Sequence, residues 1–164
     1  MTAVAVMLDL MEMSRTKTLA TLDEIAKLAD PASVLGWRPQ SGRAHIAWQL
    51  THIGITEELT ATERMLGKPA AFAELIPRFK FGSVPDDDIP SIDLIHRVLT
   101  ESRRHIRETF ATISDDDLET IPPWFRERGW NIRRILQILV WHEAHHQGQT
   151  HLTLNMWKAT QPKS

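Results

Sequence analysis

His142 and His146 stand four residues apart in the run Trp141–Gln149, and no other pair in the chain is better spaced for chemistry. On a helix that spacing stacks both imidazoles on one face, about one turn apart. Neutral imidazole is a good ligand for zinc, nickel or iron, so a stacked pair can share one divalent ion. A polar run on a solvated helix face would look similar, because four of the eight histidines fall between positions 142 and 151. Position on the helix separates the two readings.

The apolar seam of this helix reads Ile135, Leu139, His142, His146, Gln149, Thr153, Met156. Its steps alternate four and three, the core-facing repeat of a bundle helix. Both histidines and Gln149 therefore point inward, where an unpartnered polar group costs about 1–3 kcal/mol. A shared metal, or a purely hydrogen-bonded core pair, would satisfy the imidazoles. A second seam runs through Trp48, His52, Ile55, Leu59, Thr62 and Leu66, with Ser41 expected as N-cap and Gly67 as the stop. His52 lies on it among apolar neighbours. Facing the other pair, it would complete a set of three imidazoles, which leaves coordination positions open as in catalytic sites.

The run His142-Glu-Ala-His-His146-Gln-Gly148-Gln149, with the upstream Leu50-Thr-His52-Ile, resembles the DinB-like superfamily, including its YfiT type. The resemblance implies an all-α, up-down-down-up four-helix bundle with a divalent metal held by three histidines. Carried over residue by residue, the metal ligands are His52, His142 and His146. Gly148 and Gln149 match the last two positions of the family's motif, while Gln147 stands where an arginine is usual. Thiol-dependent transferases and homodimers among the relatives make both expectations here. The metal expected is zinc or nickel first, with iron admitted.

The same letters satisfy His-Glu-x-x-His, the pattern of zinc proteases with glutamate as general base. Such a site needs a further ligand downstream, yet no Asp or Glu follows Glu143. Gly148 and His151 each fall one residue early for the extended motif. A glutamate-type zinc protease is thereby excluded, and Glu143 is expected at the rim or on a flank of the site.

Four helical segments must position these residues. They are read as 2–29, 41–66, a third beginning at the Ser91 cap, and a fourth from the Asn131 cap to about residue 158. The third carries Ile92, Ile95, Leu99, Ile106 and Ile113 inward, and strand signals are absent. Connections 67–90 and 114–130 are long for a bundle and rich in proline and aromatics. Those aromatics either cap the core or, with Trp124 and Phe81 foremost, wall a substrate pocket. Arg103, Arg104 and Arg107 read as a solvated face, with an anion clamp as the alternative. Asp115, Asp116 and Asp117 read as a helix first turn, and Asp86–Asp88 as a loop without calcium-ligand spacing. His45, His96, His105, His145 and His151 receive no role.

Composition bounds the rest. A chain of 164 residues is expected to form one domain, 1–164, with a sizeable core. A net charge of −2 gives no bias toward nucleic acid or anionic membranes. No basic-then-apolar leader and no long apolar run are present, so a cytoplasmic protein acting on a small-molecule substrate is expected. With no cysteine, any thiol must be a low-molecular-weight cofactor. A thiol S-transferase, a metal-dependent hydrolase and a non-catalytic, stress-associated metal-binding module remain as readings. Apolar residues on several faces of the first helix (Met7, Leu8, Leu10, Met11, Met13) add to the expectation of a homodimer.

Overall fold

The computed structural model describes residues 1–162 and is all-helical over them. Four long helices make the bundle: α1 (Ala3–Ala26), α3 (Ile46–Glu58), α5 (Ile92–Phe110) and α6 (Ile132–Ala159). Short α2 (Pro31–Gly36) and α4 (Ile76–Phe79) interrupt the connections, as do 3-10 turns at Asp115–Asp117 and Pro123–Arg128.

Local chemistry sets the helix ends. Ser91 and Asn131 cap α5 and α6 as expected, accepting the amides of Leu94 and Arg134. The expected Ser41 cap is corrected: the cap of α3 falls four residues later, at His45, whose Nδ1 accepts the Trp48 amide at 3.0 Å. Residues 37–44 are instead drawn into a loop that Arg38 ties to the backbone carbonyls of Arg43 and Asp86. The first helix stops at Ala26 rather than residue 29, because Asp30 and Pro31 begin α2. The acidic run forms a 3-10 turn boxed by Ser114 and Asp117. Asp115 reaches across to the amides of Ala3 and Val4, placing a carboxylate at the α1 N-terminus.

Beyond Glu58 the helix widens into a π-helical stretch, Leu59–Arg64, where Thr60 and Thr62 hydroxyls donate back to the carbonyls of Thr56 and Glu58. Gly67, at a φ of 64°, ends it.

Paired contacts fix the helix directions. Arg15 meets Glu143 and Glu24 meets Lys158, so α1 and α6 run parallel. Gly54 abuts Val98 and Ala61 accepts from Thr109, so α3 and α5 run parallel. Gln49 meets His146 while His52 meets His142, so α3 and α6 are antiparallel. At Gly54 an added Cβ would fall 2.6 Å from Val98 Cγ1; only a residue without a side chain lets α3 and α5 approach so closely.

One layer of the core is ionic. Arg15, Glu57, Arg103 and Glu143 come one from each long helix and are at most 4% exposed. Arg15 bonds Glu143 at 2.7 Å and Glu57 at 2.8 Å; Arg103 bonds both carboxylates in turn. Thr18 adds a hydroxyl to Glu143 at 2.8 Å. Burial pushes the Glu57 carboxyl up, but the two guanidiniums outweigh it and hold the pKa below the usual carboxylate range. One sequence expectation is corrected here and one narrowed. Arg103 is not on the solvated face with Arg104 and Arg107; Glu143, expected at the rim or on a flank of the site, is buried on its flank. Buried charges persist only when paired, and the fold balances two cations with two anions.

Candidate metal centre

Next to the ionic layer, α3 and α6 bring His52, His142 and His146 together. Each offers a ring nitrogen, and these atoms lie within 4.8 Å of one another. The ring centroids are separated by 4.9 Å (His52–His142), 4.7 Å (His52–His146) and 4.6 Å (His142–His146). His52 is buried and the α6 pair half-buried, so the cluster opens to one side.

The surroundings set which nitrogen each ring presents. His52 Nδ1 donates to the Phe79 carbonyl at 2.6 Å, which carries α4 into the site and leaves Nε2 as a lone pair. His146 Nδ1 donates to the Gln49 side-chain oxygen, again freeing Nε2. Trp48 stacks on His52 at 4.5 Å and 13°, and its indole N–H is fixed by the Arg78 carbonyl at 3.1 Å.

All three imidazoles are held neutral. Burial depresses His142 to about 2, aided by His146, His52, His145 and the Arg64 charge. His146 falls to about 3 through burial and the charges of His52 and His145, against an opposing pull from the nearby Gln149 amide. Burial lowers His52, while its bond to Phe79 opposes the shift.

These features fit a divalent ion. Three neutral nitrogen donors suit zinc, nickel or iron, and hydrogen bonding of the remote nitrogen is the usual support for a ligating histidine. Gln149 Oε1 is buried without a hydrogen-bond partner beside this site, while its Nε2 bonds His145. Such an orphaned acceptor fits a site completed by a bound group.

The His52, His142 and His146 trio is thus assembled, and exposed His145 is turned to Trp141 and Gln149 instead. Gln149 and Thr153 follow the inward seam, but Met156 is 42% exposed, while Leu154 and Trp157 pack the core from the end of α6. Phe81 is corrected as a pocket wall, being 90% exposed. Trp124 is 42% exposed and sits under the guanidiniums of Arg64 and Arg128, 4.6 and 5.4 Å from its centroid. Sequence reasoning placed Trp48 on the His52 seam without its stacking role, and missed Gln49 and the Phe79 carbonyl. Gln49 and Trp48 precede His52 by three and four residues, on the same face, which is the signal that could have found them. No sequence signal marks a backbone carbonyl. His45 also has a structural task, because its Nε2 holds the Asp86 carbonyl at 2.9 Å.

A cavity of about 380 Å³ adjoins the cluster, lined by Trp48, Gln49, Gln149, Thr153 and Met156 among others. A larger groove of about 570 Å³ lies away from the imidazoles, between the π-helical stretch and α5.

A sequence model of the DinB superfamily matches residues 10–150. The chain belongs to that superfamily, and the match includes His52, His142 and His146. Among curated proteins none matches the chain. No helix among the described residues is long and apolar enough to cross a membrane.

Proposed function

We propose that this DinB-superfamily protein binds one divalent ion through Nε2 of His52, His142 and His146, and acts as a metal- and thiol-dependent S-transferase on a small electrophile. One observation carries the metal reading: three neutral imidazoles converge, and two have the remote nitrogen hydrogen-bonded so that Nε2 faces inward. When bound, the ion would supply Lewis acidity that ionises a coordinating thiol. The chain has no cysteine, so that thiol comes from solution; it would lose its S–H proton to solvent, and its sulfur would form the new bond to the electrophilic carbon as the leaving group departs with the electron pair of its own bond.

The protein's own residues orient the rings and shape the approach to them. Trp48 covers His52, and the adjoining cavity of about 380 Å³ has the size of a small-molecule site. Glu143 supports an external nucleophile over hydrolysis. A hydrolase of the His-Glu-x-x-His kind needs that carboxylate as base, but here it is consumed by Arg15, Thr18 and Arg103.

Metal content after purification tests the first half. His52→Ala and His142→Ala should each lose most of the ion, and His145→Ala should retain it; equal loss in all three rejects the ligand set. Turnover of a generic electrophile by metal-loaded protein with added low-molecular-weight thiols tests the second. Turnover confined to ester or amide substrates, without thiol, would overturn the transferase reading.

A further inference from the structure

The cavity of about 380 Å³ beside the histidine cluster is walled by residues that touch the imidazoles. Trp48 lines it and stacks on His52, and the same indole meets His146 edge-on at 6.4 Å. Gln49 lines it and receives the His146 Nδ1 proton. A molecule held here therefore lies against side chains in direct contact with two of the three rings.

What such a molecule must bring depends on which lining side chains are already spent. The Trp48 N–H is taken by the Arg78 carbonyl and the Ser83 hydroxyl, so this residue offers only its ring. Thr153 donates to the Gln149 backbone carbonyl at 2.8 Å. Gln149 gives its Nε2 to His145, and its Oε1 is sealed from solvent. Leu152 and Met156 add apolar surface. Among the described residues no carboxylate lines the cavity, and Arg43, exposed at its edge, is the one charged side chain.

Gln49 is the exception. It is 8% exposed, and its oxygen is committed to His146. Among the described residues its Nε2 donates to no protein atom, yet that nitrogen is not sealed from solvent. Oxygen and nitrogen diverge from one planar amide carbon, so fixing the first toward His146 aims the second away from it. The space that Gln49 lines is the cavity. An N–H donor held in place on a largely buried side chain, without an acceptor, calls for an oxygen from the ligand.

We propose that this cavity binds a small, largely apolar molecule through a carbonyl oxygen that accepts from Gln49 Nε2. Gln49 then has two tasks on one amide: its oxygen orients His146, and its nitrogen orients the ligand. The carbonyl contact needs no ion. Identifying the ligand as the electrophile rests on the transferase reading, and makes that electrophile a carbonyl compound.

The test is a ¹⁹F NMR titration of metal-free protein with 4-fluoroacetophenone and with 1-ethyl-4-fluorobenzene, in which CH₂ replaces the carbonyl. The affinity ratio, ketone over hydrocarbon, should fall about three- to tenfold from wild type to Gln49→Glu, the span of one net hydrogen bond. Gln49→Glu should keep its zinc affinity, because a carboxylate oxygen still receives the His146 proton. Gln49→Met, which loses the donor without adding charge, should show the same fall in the ratio. Arg43→Gln should leave the ratio unchanged. An unchanged ratio in either Gln49 variant, a comparable fall in Arg43→Gln, or no saturable binding of the ketone to wild type overturns the carbonyl contact. Zinc content reads separately on the metal centre, so the two can fail independently.

Discussion

His142 Nε2 lies 3.1 Å from His52 Nε2. Because His52 carries its proton on Nδ1, toward the Phe79 carbonyl, the N–H in this contact must belong to His142. A hydrogen bond at this contact without the ion requires the proton on His142 Nε2, and ion binding at Nε2 would then move it to Nδ1. His52 and His146 start with the proton already remote from the site. Long-range ¹⁵N correlation spectra should show one imidazole switching tautomer on zinc addition and two that keep theirs. Three switching rings, or none, would contradict the assignment of Nε2 as the ligating atom.

Gln49 should behave as a positioning residue for His146. Its side-chain oxygen receives the Nδ1 proton, and the amide is largely buried on the same face of α3 as His52. Loss of such an outer partner costs roughly 10- to 100-fold in metal affinity. Gln49→Leu should weaken zinc binding by that order in a chelator competition, and Gln49→Glu should restore it. An unchanged dissociation constant in Gln49→Leu would remove Gln49 from the site.

The histidine trio was legible because spacing alone puts His142 and His146 on one stripe and His52 on another. The same logic misjudged Arg103 and left the burial of Glu143 open, since helical periodicity reports apolar seams and treats charges as solvent-facing. A charge can be buried only by partners from other helices, and Arg15, Glu57 and Arg103 are 40 or more residues from Glu143. Nothing local encodes that closure. The expected Ser41 cap failed for a related reason: loop residues 37–44 are held by Arg38 and by the Asp86–Asp88 segment, a long-range contact that delays the helix to His45.

The ionic layer yields a stability prediction. Glu143→Leu removes one anion and leaves Arg15 and Arg103 sharing one buried carboxylate, Glu57, with half-exposed Glu12 at 3.5 Å from Arg103. Breaking a buried pair in this way costs about 3–5 kcal/mol. Adding Arg15→Met should recover a substantial part of that loss, because the surplus cation leaves as well. Urea denaturation of both variants checks it; a double variant as unstable as the sum of the singles would mean the charges act independently.

The exposed face of α1 bears on assembly. Val6 and Leu10 are about two-fifths exposed and Met13 is 60% exposed, on a helix whose inner face already packs the core. The homodimer expected from the family resemblance would cover this stripe. Sedimentation should then give a dimer at micromolar concentration that Leu10→Lys/Met13→Glu converts to monomer. A wild-type monomer would remove the proposal.

Acid should destabilise the metal-free protein from near neutrality downward. His142, His146, His52 and His45 all have folded-state pKa values lowered from 6.5, chiefly by burial. Below 6.5 the unfolded chain gains protons that the folded chain refuses, so the unfolded state is favoured. The stability conferred by neutral imidazoles is thus complete above about pH 6.5 and lost as pH falls toward the folded values, about 3 for His146 and about 2 for His142. While the fold survives, the same depression keeps the rings competent as ligands, so zinc should be retained at pH 5.5, where free imidazole is mostly protonated. Thermal melts of metal-free protein from pH 7.5 to 4.5 should show a falling midpoint, with a shallower slope in His142→Asn. A midpoint that stays level or rises on acidification would show that these imidazoles titrate as exposed groups.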